Sequence, residues 1–166
     1  MDRRIYVVVG IAVACLCILT LYFVTKPIEL TYKIEKKGKE QSLYFYEDGR
    51  LIATLSVEVQ GRKLRFCLSH DENTFVKTLK LKITPDNTSE IYLLTPYGDW
   101  NTFEFHQSKD GLSSVFYARD LGLQGRGTVT LEFLISRNAS IYYTVSFEID
   151  EGFKRYVCEG EGVLKV

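Results

Sequence analysis

Apolar residues recur at every second position through most of this chain, and that period decides its fold class. Ile28, Leu30, Tyr32 and Ile34 begin the series. Leu51, Ala53, Leu55, Val57 and Val59 continue it, followed by Leu64, Phe66 and Leu68, and by Leu79, Leu81 and Ile83. Val129, Leu131, Phe133 and Ile135 form another run; Ile141, Tyr143, Val145, Phe147 and Ile149 form the last long one. Successive side chains of a strand point to opposite faces, so each run predicts a strand with one face in a core and the other near water. No stretch of ten or more residues beyond the N-terminal segment carries a helical period. A short turn of helix is expected near Ala118–Leu121.

The punctuation agrees with strands. Asp48-Gly49 lies between two runs and reads as a two-residue hairpin. Gly61, Pro85-Asp86-Asn87, Pro96-Tyr97-Gly98-Asp99, Lys109-Asp110-Gly111, Arg137-Asn138 and Asp150-Glu151-Gly152 mark further turns. Strands return every ~10 to 14 residues, which is the spacing of an antiparallel sandwich or barrel and not of βαβ units. The stretch 127–149 resembles the closing hairpin of many immunoglobulin-like sandwiches. The expected fold is mainly β: an antiparallel β-sandwich, immunoglobulin-like or similar, of about nine or ten strands over residues 27–166.

The N-terminus is different. Residues 5–24, IYVVVGIAVACLCILTLYFV, carry no charge. As a helix they would span roughly 30 Å, the thickness of a bilayer's hydrocarbon core. Tyr6 and Tyr22 sit near the two ends, where amphipathic rings favour the interface. A cleavable signal peptide has a shorter apolar region, and cutting after Ala12-Val13-Ala14 would leave CLCILTLYFV on the mature chain. Acylation at Cys15 leaves the same unexplained remainder. The expectation is therefore one N-terminal transmembrane helix: a tail at 1–4, an anchor at 5–24 and a β-sandwich domain at 27–166. The tail offers Arg3 and Arg4 and the other flank Lys26, Lys33, Lys36, Lys37 and Lys39, a count that nominally favours the domain inside. The lysines from Lys33 onward, however, belong to a folded domain, which translocates largely regardless of charge, so the tail is expected inside and the domain outside. The expected location is the cell membrane, single-pass, with the C-terminal domain extracytoplasmic.

Composition removes several functions. The 21 basic and 21 acidic residues cancel, so there is no chain-wide field for nucleic acid. Two histidines and one methionine exclude histidine-rich metal sites and copper sites with a methionine ligand. Nucleophile, zinc-protease, phosphate-loop and dinucleotide motifs do not occur, and no cofactor is expected. Cys67-Leu68-Ser69-His70 has metal-like spacing, yet a second ligand pair is missing. Asp71-Glu72 and Asp110-Gly111 lack the alternating oxygens of a calcium loop. No metal site is therefore assigned. Outside the anchor, Cys67 and Cys158 are a candidate disulfide that would close a loop of about 90 residues, worth about 4–5 kcal/mol.

Three surface features remain. Lys63 and Arg65 would form a basic patch with Lys80 and Lys82 if their strands paired; otherwise they guard solvent faces. Asn87-Thr88-Ser89 and Asn138-Ala139-Ser140 match the N-glycosylation sequon and fall in turns. Trp100, the chain's one tryptophan, lies with Tyr97 and Asn101 in a turn-rich segment. Such a segment either plugs one end of the sandwich or presents a contact surface for a partner or a sugar ring.

The functional expectation is a membrane-anchored, non-catalytic interaction or structural module of the cell envelope. It would bind another envelope protein or a glycan through Tyr97, Trp100 and Asn101. The alternative is a membrane-anchored enzyme or metal-dependent factor using Cys67, His70, His106 and nearby carboxylates. The alternative requires those groups to converge in one cleft.

Overall fold

A computed structural model describes residues 3–96, 103–108, 111–119, 121 and 127–166; within the first stretch, side chains are described for 8–22 and 26–94. Helix α1 runs Arg3–Thr25. Among the described residues twelve strands follow: β1 (Ile28–Glu29), β2 (Thr31–Lys37), β3 (Glu40–Glu47), β4 (Arg50–Gln60), β5 (Lys63–His70), β6 (Phe75–Pro85), β7 (Ile91–Pro96), β8 (Phe103–Gln107), β9 (Ser114–Arg119), β10 (Thr128–Ile135), β11 (Ser140–Glu151) and β12 (Lys154–Lys165). They form two six-stranded sheets, ordered β1-β12-β11-β6-β9-β8 and β2-β3-β4-β5-β10-β7. Every pairing is antiparallel except β1 with β12.

The alternation of the sequence becomes the sandwich interior. Leu64, Phe66 and Leu68 of one sheet and Leu79, Leu81 and Ile83 of the other are all buried. Aromatic rings lock the two faces together. Phe45 meets Phe147 edge-on at 5.0 Å and Phe66 meets Tyr143 edge-on at 5.3 Å, in each case across the sheets. Phe105 reaches Phe133 at 5.7 Å on the other side. Edge-on contacts set positive ring edges against negative faces, which adds to area burial. Asp48 (φ 47°) and Gly49 (φ 86°) both adopt positive φ. That is the paired left-handed geometry that lets a two-residue turn follow the twist of its strands.

Several expectations are corrected. The run Ile28–Ile34 is not one strand: β1 joins the first sheet, β2 edges the second, and Ile34 is exposed. Leu51 is exposed because the register of β3 and β4 shifts between Phe45 and Tyr46, turning Ile52 inward with Ala53. The segment 127–149 is not a closing hairpin, since β10 and β11 lie in different sheets and the chain crosses between them. No helical turn forms at Ala118, which belongs to β9 and pairs with Leu79. Among the described residues the strand count is twelve, above the expected nine or ten.

The anchor expectation meets a mixed result. A helix does form over Arg3–Thr25, and every side chain described from Val8 to Tyr22 is exposed. Yet among the described residues no helix is long and apolar enough to cross a membrane.

Candidate functional site

Register fixes which parts of the chain share an end of the sandwich. Ile28 pairs with Tyr156 in a parallel ladder, so the chain before Ile28 lies toward Lys154. Only Lys26 and Pro27 separate α1 from β1. The turn Gly152-Phe153 is therefore at the end where the helix joins. Phe75, opposite Asp150, and Arg50, opposite Glu47, are also placed there. Lys37, Gln60, Pro85, Gln107, Ile135 and Lys165 mark the far end.

At the helix end two hairpin turns from different sheets meet over one buried tyrosine. The Tyr156 hydroxyl lies 2.8 Å from Glu151 Oε2 and 3.0 Å from Glu47 Oε2, and receives a hydrogen bond from Arg50 Nη2 at 2.9 Å. Arg50 also grips Glu151 with both terminal nitrogens, at 2.9 and 2.6 Å. Lys154 Nζ donates to both Glu47 oxygens at 3.0 and 3.3 Å. The Arg50 fork matches the planar carboxylate, the stronger kind of ion pair. The hydrogen bond from Arg50 first, with further support from Tyr156, lowers the Glu151 pKa to about 2. Glu47 is lowered too, chiefly by its bond from Lys154. The Tyr156 phenol is raised by burial and then by the two carboxylates it faces. This clasp ties the β3–β4 turn to the β11–β12 turn and is electrically matched.

The far end has a different chemistry. Asn87 Nδ2 donates to the Asn138 carbonyl at 2.9 Å, and Asn87 Oδ1 accepts from the Ser89 amide at 2.9 Å. Asp86 Oδ1 accepts from the Ser140 amide at 3.0 Å. The two sequon asparagines are thus neighbours, and both are exposed.

The candidates for chemistry do not converge. Cys67 on β5 faces outward, where Thr130 Oγ1 approaches its sulfur at 3.8 Å. Cys158 on β12, in the other sheet, points into the core. The two thiols are free, so the considered bridge does not form; the strands give the two side chains opposite faces. Burial raises the Cys158 thiol far above its ordinary pKa, which leaves it inert. His70, the last residue of β5, has Nδ1 2.6 Å from Thr74 Oγ1 in the loop that follows, where Asp71 Oδ1 accepts from the Asn73 amide at 2.7 Å. His106 is on β8 in the other sheet and exposed. Among the described residues no group of His, Cys, Asp or Glu could hold a metal ion.

The basic patch is also undone. β5 and β6 lie in different sheets, so Lys63 and Arg65 never meet Lys80 and Lys82. Arg65 faces Glu132 at 3.7 Å. Lys80 and Lys82 line a groove with Tyr32, Glu159 and Glu161, so their charge is offset locally. Tyr97, Trp100 and Asn101 lie outside the described residues. The strands that flank them, β7 and β8, end and begin toward the helix end: Pro96 pairs with Leu131 and Phe103 with Ala118.

Residues 29–165 match the family described as "Domain of unknown function (DUF8121)", and the chain belongs to that family. No curated protein matches the chain. Among solved structures it is similar to a cohesin module from a Clostridium perfringens family 33 glycoside hydrolase. The identity is 13%, the match covers 69% of this chain and 94% of that one, and the TM-score is 0.41. A non-cellulosomal cohesin from Archaeoglobus fulgidus matches at 16% identity over 61% and 81% of the two chains, with a TM-score of 0.34. The human F-spondin reeler domain matches at 10% identity over 84% and 89%, with a TM-score of 0.35. At these scores the likenesses decide neither fold nor function; the fold rests on strand order and register.

Proposed function

We propose that this family member is a single-pass, membrane-anchored β-sandwich that serves as a non-catalytic interaction module of the cell envelope. Residues 5–24 cross the bilayer, the tail stays inside, and the sandwich stands on the extracytoplasmic side. There it binds another envelope protein or a glycan through the segment holding Tyr97, Trp100 and Asn101.

One observation carries the anchoring. Val8, Val9, Ile11, Val13, Leu16, Ile18, Leu19 and Leu21 are each more than half exposed on α1. At 100° per residue these positions go all the way round the helix. A helix apolar on every side, with every side chain described from Val8 to Tyr22 exposed, has no favourable state in water. Each large side chain left wet forgoes about 1.5–3 kcal/mol. The uncharged sequence continues on both sides of these residues, to Ile5 and Val24.

Two further features support the reading. Both sequons sit at the end of the sandwich away from the helix, where a modifying enzyme outside the membrane could reach them. Cys67 and His70 share β5, whereas His106 lies in the other sheet, an arrangement that does not favour a joint catalytic cleft.

The test uses the tagged full-length chain in cells. Alkaline carbonate should leave it in the membrane pellet, and protease added to intact cells should digest the sandwich. Release by carbonate overturns the anchor, and protection of the domain until lysis overturns the orientation. Trp100→Ala should weaken capture of the partner with the melting temperature within a few degrees of the parent. Unchanged capture removes that segment from the site.

A further inference from the structure

We propose that Phe153 is a second membrane contact, its ring entering the interfacial layer of the same bilayer that α1 crosses. The inference rests on the anchoring proposed above and names a second point of attachment.

Phe153 is 91% exposed, the most exposed large hydrophobic side chain among the described residues. It sits on a two-residue turn whose flanking pair is Glu151 and Lys154. Its place is set by the register. Ile28 lies opposite Tyr156, three residues along β12 from Phe153. Three strand rises are about 10 Å, measured toward the helix. Ile28 is likewise three residues from Thr25, the last residue of α1, a reach of at most about 11 Å. The C-terminal end of the helix therefore lies within about 11 Å of Ile28, at the same end of the sandwich as the Phe153 tip, and α1 contacts β12.

The turn is also held still. Gly152 takes a positive φ of 61°, which reverses the chain at the tip. Arg50 holds Glu151 on one side of the turn, and Glu47 holds Lys154 on the other. The clasp thus fixes both residues flanking the tip while the ring projects beyond it. A lone aromatic ring on a rigid tip, with a lysine beside it, suits the boundary between headgroups and acyl chains. The ring takes the apolar side, while the Lys154 ammonium stays at headgroup level, paired with Glu47. The bilayer is the favoured occupant because the chain's own helix delivers it to this end, whereas a protein partner would need a wider apolar surface than one ring.

The experiment places a tryptophan at the tip. Phe153→Trp and, as a control at the far end, Leu112→Trp are made in the full-length chain. Each is reconstituted into vesicles of phosphatidylcholine and phosphatidylglycerol containing lipids brominated near the headgroup or deep in the acyl chain. The emission of the added indole is taken as the difference from the parent, which holds Trp100 alone. Leu112 is 69% exposed in the turn between β8 and β9, so it reports an exposed far-end position. The expected result is a blue-shifted indole at 153, quenched most by the shallow bromines, and an unquenched, red-emitting indole at 112. Equal quenching at the two positions overturns the contact while α1 still anchors the chain. A chain that leaves the vesicles on alkaline washing overturns the anchor, and the Phe153 contact with it.

Discussion

At the helix end the two sheets are joined by charge: Arg50, Glu47, Glu151 and Lys154 close around the Tyr156 hydroxyl. In the far half they are joined by contact. A Cβ built on Gly162 would lie 2.5 Å from the Tyr143 hydroxyl and 2.6 Å from Gln41 Oε1, so β12 and β3 approach as closely as a glycine allows. Gln41 and the Tyr143 hydroxyl are buried there without a hydrogen-bond partner. The difference shows where ion pairs hold this domain together and where close packing does. The charged clasp resists separation of two turns beside the helix. The far half relies on shape and on the hydrogen bonds of Asn87 and Asp86 with uncharged partners, and at Gln41 and Tyr143 it bears an unsatisfied polar cost of about 1–3 kcal/mol per group.

The middle of the sandwich sets the ceiling for any effect at either end. Phe133 is fully buried and touches Phe66 and Phe105 from both sheets. Phe133→Ala should cost about 3–5 kcal/mol in urea unfolding, because the cavity cannot collapse between two stiff sheets. A loss below about 1 kcal/mol would mean that the ring is not a shared support. Gly162→Ala tests the far half and should cost about 1–3 kcal/mol, since the neighbours are a ring oxygen and an amide held in a core. An unchanged melting temperature would show that β12 and β3 stand further apart than the contact distances imply.

Much of this comparison was legible in the sequence, but not its partition between ends. The runs at 64–68, 79–83, 129–135 and 141–149 all turned inward as their period demanded. Pairing was less legible, because a period of two says which face is apolar and nothing about which strand lies alongside. Hence Ile28–Ile34 split between sheets, and 127–149 crossed from one to the other. Cys67 and Cys158 looked like a pair until their strands gave them opposite faces. The clasp does have a signal in the sequence. Glu47-Asp48-Gly49-Arg50 and Glu151-Gly152-Phe153-Lys154 are the same pattern, an acid and a base bracketing a tight turn. Tyr156, two residues past the second, is the residue that lets them meet. What Trp100 does was not legible from its neighbours, and its segment is not among the described residues.

Acid should separate the two ends. Glu151 is lowered from 4.5 to about 2, chiefly by Arg50, and Glu47 is lowered by Lys154. A carboxylate with a depressed folded pKa stabilises the fold above its ordinary pKa. That contribution fades as pH falls from about 4.5 toward 2. Solvent reaches the Arg50 side of the pair, so the ion pair's share is at most about 1 kcal/mol. Amide exchange at 47–51 and 150–156 should therefore quicken between pH 5 and pH 3 more than exchange at 137–141, once the intrinsic pH dependence is divided out. Arg50→Gln should remove most of that difference, and Tyr156→Phe should cost about 1–2 kcal/mol at neutral pH. Equal acceleration at both ends in the parent would show that the clasp carries no share of the acid sensitivity.

The smallest effect separates two asparagines that share the sequon pattern. Asn87 uses both ends of its amide, donating to the Asn138 carbonyl and accepting from Ser89. Asn138 contributes only its main-chain oxygen to that contact, and its side chain is exposed. Asn87→Ala should therefore cost about 1 kcal/mol, the net worth of a hydrogen bond with a freed acceptor partly open to water. Asn138→Ala should stay within about 0.5 kcal/mol, as surface substitutions do. The same asymmetry bears on modification. A glycan on Asn87 must share a nitrogen already committed to Asn138, whereas one on Asn138 displaces nothing. In a host that modifies sequons, Asn138→Gln should remove most of the gel shift caused by glycan and Asn87→Gln little of it. A shift lost chiefly with Asn87 would show that the far end opens before it is modified, and that its hydrogen bonds are weaker than the clasp at the other end.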